Sequence, residues 1–102
     1  MKPVQEKDGI RVRLQTIKGE NFYVFICADE IFCSIKEDED ASVLMETTTR
    51  LISKLRQAGQ SWDTVKDQLA KSSRKKKDIP ALMLEAINRW EEKCESHQRK
   101  NQ

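Results

Sequence analysis

Apolar and polar residues alternate near the start of the chain, where Ile10, Val12 and Leu14 are separated by Arg11, Arg13 and Gln15. A period of two is the pattern of a half-buried strand. Lys18-Gly19-Glu20-Asn21 supplies a turn, because glycine adopts positive φ without a steric cost. Phe22 to Cys27 is apolar on both faces, which predicts a central strand or one with both faces partly covered. Ala28-Asp29-Glu30 reads as a second tight turn, and Ile31 to Ile35 as a third short strand. The expected product is an antiparallel meander, which needs something packed on its apolar face to be stable.

The period then changes. Leu44, Thr48, Leu51, Leu55 and Ala58 recur at spacings of three and four, with Ile52 beside them. This predicts a helix from about Ala41 to Ala58 with that stripe turned inward. Thr47-Thr48-Thr49 weakens the helix locally, since β-branched side chains lose rotamer freedom there. Thr48 is expected to let the helix lie close to the sheet, and Gly59 to serve as the C′ residue. Ser61 reads as the N-cap of a second helix whose stripe is Trp62, Val65 and Leu69. Asp78 reads as the N-cap of a third, with Pro80 in its first turn and Ile79, Met83, Ala86, Ile87, Trp90 and Cys94 along its apolar side. Residues 1–9 form a polar lead-in and 96–102 a polar tail, both expected to fray. The domain proper is 10–95, an α+β fold with a small antiparallel three-stranded meander followed by three helices packed on one face.

Composition narrows the choice of partners. The chain has 102 residues, enough for one domain, and 37% hydrophobic against 35% charged residues leaves a thin core. Association with a second copy or a partner would help such a domain. Nineteen basic and 17 acidic residues nearly cancel to +2, so a general drive toward nucleic acid or anionic membrane is missing and any attraction must be local. No apolar run approaches the ~20 residues of a membrane-spanning helix. Cys27, Cys33 and Cys94 make neither an even set nor a CxxC pair, which fits reduced thiols and a cytoplasmic location.

The candidate chemistry is sparse. His97, the single histidine, lies in the polar tail. Nucleophilic catalysis needs a thiol or hydroxyl beside a base, and zinc needs about four well-spaced ligands; neither pattern is present. Gly9, Gly19 and Gly59 are too scattered for a phosphate-cradling loop. The sequence therefore predicts no enzyme, no cofactor and no metal. Cys27 and Cys33 sit six residues apart around a turn, so facing each other across a hairpin is one arrangement open to them; packing as small buried hydrophobes is the other.

Two charge runs remain. Glu37, Asp38, Glu39 and Asp40 read as a solvated loop that delivers carboxylates to a helix N-terminus, or as an acidic partner surface. Arg74, Lys75, Lys76 and Lys77 are four consecutive cations beside the third helix. They are a candidate contact for phosphate or a nucleic-acid backbone, which Arg11 and Arg13 could extend. No aromatic stacking motif of the RNA-binding kind is legible in the sequence.

Ala41-Ser42, Glu46 and Arg50-Leu51-Ile52-Ser53 through Gly59 resemble the helix of the TSCPD domain family. That family occurs as small stand-alone proteins and at the C-terminus of adenosylcobalamin-dependent ribonucleotide reductases. Trp62 to Leu69, ending in Gln68-Leu69, is similar to its short helix, and Ile79-Pro80 falls at its motif, so the resemblance spans roughly residues 20–90. The cysteine position of the motif is Ile79 here, Ala81 replaces the acid after the proline, and Asp38-Glu39-Asp40 stands where the family has glycine-glycine-cysteine. The resemblance implies the scaffold without its thiol chemistry. The function expected is a non-catalytic accessory or regulatory protein-interaction module, with self-association or a protein partner and a link to ribonucleotide reductase or nucleotide metabolism. Alternatives are phosphate or nucleic-acid binding through Arg74 to Lys77, and a small inhibitor of the mobile-element type.

Overall fold

A computed structural model describes residues 9–33 and 40–100, the side chains of 40, 41 and 97–100 excepted. Strands β1 (Gly9–Gln15), β2 (Asn21–Cys27) and β3 (Ile31–Cys33) precede helices α1 (Asp40–Gln57), α2 (Trp62–Ser72) and α3 (Ile79–Lys100). The fold is α+β, with one antiparallel sheet in the order β1-β2-β3. The doubly apolar segment is the central strand. Ile10 pairs with Ile26 and Val12 with Val24, while Phe25 pairs with Phe32 and Val24 with Cys33.

This register puts Val12, Leu14, Val24, Ile26, Ile31 and Cys33 on one face of the sheet. They form one core with Met45 and Ile52 of α1, Val65 and Leu69 of α2, and Leu82, Met83, Ala86, Ile87 and Trp90 of α3. The alternation of β1 and the stripes of α2 and α3 are the packing faces the sequence predicts. Beyond Glu95, α3 continues to Lys100, through residues whose polarity suggests a tail; a helix end needs no apolar stripe of its own once the preceding turns have nucleated it.

Both glycine and cap assignments hold. At Gly59 φ is +97°, and the Gln60 and Gly59 N–H groups donate to the carbonyls of Leu55 and Arg56, which is the Schellman pairing. Ser61 Oγ accepts from the Thr64 N–H at 3.1 Å. Asp78 Oδ1 accepts from the Ala81 N–H at 3.0 Å.

The expected inward face of α1 is corrected. The buried face of α1 is Ser42, Met45, Thr49 and Ile52, whereas Leu44, Leu51 and Leu55 are exposed at 55%, 61% and 44%. Thr49, not Thr48, lies against the core, and its Oγ1 donates to the Glu46 carbonyl. A small residue does let the helix come close, one position on from the expected one. Of the two arrangements open to the strand thiols, packing as small buried hydrophobes is the one found. Cys33 pairs with Val24 on the inner face, while Cys27 lies three residues further along β2 with the opposite parity. They sit on opposite faces of the sheet, and both are buried thiols.

Candidate interaction surfaces

The basic loop is built around a carboxylate of its own chain. Asp78 Oδ2 accepts from the backbone N–H of Arg74 at 2.8 Å and of Lys75 at 3.1 Å. Its Oδ1 accepts from Ser73 Oγ at 2.9 Å and from the Ala81 N–H. The Arg74 N–H above all, with those of Ala81 and Lys75 and the Ser73 hydroxyl, holds the Asp78 carboxyl down at about 2. Lys77 takes a left-handed φ of 59° to close the loop. A helix N-terminus with convergent N–H groups is a ready anion site, and here the anion is internal. The side chains of Arg74, Lys75, Lys76 and Lys77 are all exposed. A phosphate meeting them would find the Arg74 and Lys75 N–H groups already taken.

Of the acidic run, Glu37, Asp38 and Glu39 lie outside the described residues, and Asp40 opens α1. A separate group of donors, on Cys27, Asp29 and Glu30, gathers within 4.8 Å. Three donors fall short of a closed zinc site. Burial, reinforced by Glu46, pushes the Cys33 thiol up from its ordinary value, and burial with Glu91 does the same for Cys94. Neither is an activated thiolate, which requires the opposite shift.

Trp62 belongs to the frame. Its Nε1 donates to the Ala28 carbonyl at 3.2 Å, and Arg56 Nη2 donates to the same oxygen at 2.6 Å. The Arg56 guanidinium also stacks 4.7 Å from the Trp62 ring centroid and donates from Nη1 to the Gln60 carbonyl. One arginine thus ties the β2–β3 turn to the α1–α2 corner.

Two surfaces stay apolar and accessible. One is the ridge of α1, where Leu44, Thr48, Leu51 and Leu55 follow each other at spacings of four, three and four. That is the a/d spacing of a coiled-coil seam. The periodicity was visible in the sequence, and what it could not show was that the ridge faces outward. Thr48 Oγ1 donates to the Leu44 carbonyl at 2.7 Å, so covering this residue leaves no unpaired hydroxyl proton.

The second surface is the sheet face opposite the core, which carries Arg11, Arg13, Tyr23, Phe25 and Phe32. The Arg11 guanidinium lies 4.5 Å from the Tyr23 ring centroid. The Phe25 and Phe32 rings are 5.3 Å apart at 34°, and Phe32 is half exposed. Phe25 also lies over Gly9, where an added Cβ would stand 2.4 Å from the ring. Sequence reading missed this group because β2 is apolar at nearly every position, which hides the outward set within the inward one.

No helix among the described residues is long and apolar enough to cross a membrane. Comparison with known proteins found no matching family, no matching curated protein and no matching solved structure.

Proposed function

We propose that this protein is a non-catalytic interaction module that pairs with a second copy of itself through α1. The observation that carries the reading is that the spacing along the ridge, four, three and four, is the same in both directions. In an antiparallel helix pair centred between Thr49 and Arg50, Leu44 of one copy meets Leu55 of the other, and Thr48 meets Leu51. Ala41 and Ala58 meet at the two ends. Each layer then joins an a to a d position, and small residues stand where the pair closes.

Electrostatics favours the same arrangement. Antiparallel helices oppose their dipoles, and the end opened by Asp40 comes near the basic last turn with Lys54 and Arg56. The contact is short, about five turns of helix, so an association on the order of micromolar suits a small interface. An accessory or regulatory role is supported by a surface that offers docking, with the Cys33 and Cys94 thiols shifted away from activation. The order of three strands and three helices supports the TSCPD-like scaffold, and with it a partner in ribonucleotide reductase or nucleotide metabolism. Ile79 in the place of the family's cysteine favours binding over thiol chemistry for that link.

Sedimentation over a concentration series tests the pairing. The wild type should shift from monomer to dimer around ten micromolar, within about a factor of ten. Leu51→Glu should stay monomeric with an unchanged circular dichroism spectrum, because its side chain makes little contribution to the core. A wild type that remains monomeric at about millimolar concentration would reject self-pairing. A dimer unaffected by Leu51→Glu would place the interface elsewhere.

A further inference from the structure

The sheet face turned away from the helices has the composition of a stacking platform rather than of a solvated surface. A sheet covered on one side ordinarily shows polar residues on the other. Here the central strand presents Tyr23 and Phe25, and β3 adds Phe32 beside Phe25. On β1, Arg11 stands across from Phe25 and Arg13 across from Tyr23. The other outward positions of the three strands hold Gly9, Gln15, Asn21 and a buried Cys27, beside which the Asp29 and Glu30 carboxylates gather at the β2–β3 turn, away from the arginines.

We infer that this face binds single-stranded nucleic acid, its bases stacked on Phe32 and Phe25 and its phosphates held by Arg11, which Tyr23 braces, and Arg13. Aromatic rings on an open sheet accept bases of any sequence through their π faces, and neighbouring cations follow the backbone. The ligand chemistry required is a row of flat apolar faces joined by negative charges, which matches what the five side chains offer. Arg11 already lies against the Tyr23 ring, so it is held at the platform and needs little further ordering. A double helix does not fit, because its bases are stacked on each other and closed to these rings. The site is distinct from the Arg74–Lys77 loop, where Asp78 occupies the Arg74 and Lys75 N–H groups, and from the α1 ridge.

Fluorescence anisotropy with a labelled oligothymidylate of about fifteen nucleotides, long enough for a short binding groove, tests this. Saturable binding is expected at low salt, with Phe32→Ala weakening it about 5- to 150-fold, the range for one stacked base. Two phosphates neutralised by Arg11 and Arg13 set a slope of about −1.4 in log affinity against log salt. Arg13→Ala should halve that slope. Phe32 is half exposed, so its variant keeps the fold, which circular dichroism checks; Leu51→Glu should leave binding intact even if pairing is lost. The inference is overturned if the oligonucleotide does not bind, if a duplex of the same length binds equally well, or if Phe32→Ala is without effect. It is overturned as well if replacing Lys75, Lys76 and Lys77 together with alanine removes binding while Phe32→Ala and Arg13→Ala do not.

Discussion

Ser53 and Ile31 close the edge of the sheet. The Ser53 hydroxyl accepts from the Ile31 N–H at 2.9 Å and donates to the Ile31 carbonyl at 2.7 Å. One side chain from α1 thus fills the two positions that a fourth strand would take. Exposed edges invite pairing between chains, and covering them with a helix is one defence.

Ser53→Ala should leave both backbone groups of a fully buried residue without a partner. The expected loss is about 1–3 kcal/mol, read as a lower urea midpoint. A rise in concentration-dependent aggregation should accompany it as the β3 edge becomes available.

Acid should destabilise the α2–α3 loop in a defined window. The Asp78 carboxyl is lowered from 3.8 to about 2 in the folded chain. Its contribution is therefore complete above the unfolded value and is lost as pH falls from about 4 through about 2. Thermal midpoints measured across that range should fall for the wild type. In Asp78→Asn the same curve should be flatter, with a lower midpoint at neutral pH.

Alkali should act on the α2–α3 contact. Lys66 Nζ pairs with Glu91 between the two helices, and the hydrogen bond to Glu91 is the main cause of a raised Lys66 value, with smaller help from Asp63. A raised value on a lysine gives stability that is present below about 10.5 and is lost as pH rises through the folded value. Glu91→Gln should remove most of that alkaline dependence, leaving the smaller part due to Asp63, and cost on the order of 1 kcal/mol at neutral pH, since both groups keep part of their exposure.

Gly59→Ala should destabilise by about 1–2 kcal/mol, the cost of a left-handed conformation for a residue with a Cβ. The space around Gly59 is open, so the penalty is conformational and not steric. Chemical denaturation of the pair of proteins measures it, and Gly59→Asn should recover part of the loss.

Much of this architecture is legible in the residues themselves. The stripe from Ile79 to Trp90, the cap at Ser61 and the glycine at 59 each state their role through spacing and chemistry. The orientation of α1 is not legible, because the helix carries two candidate faces. Leu44, Leu51 and Leu55 make the more hydrophobic one, yet Ser42, Met45, Thr49 and Ile52 are buried. Periodicity locates a stripe without saying what covers it. The choice comes from the tertiary contact: Ser53 must reach β3, and that rotation carries the leucines outward. The acceptors of the basic loop were equally hidden, since charge counts the lysines but does not reveal that Asp78 already holds the Arg74 and Lys75 N–H groups.

Gly9 shows how an absent side chain can set a surface. Any Cβ there would collide with the Phe25 ring at 2.4 Å and with the Ile26 carbonyl at 2.7 Å. The ring can swing aside, but the carbonyl belongs to the strand ladder and moves only with the sheet. The resting place of the Phe25 ring therefore depends on a residue of the neighbouring strand. A side chain at position 9 must displace the Phe25 ring, so the placement of that ring is encoded where no ring is present.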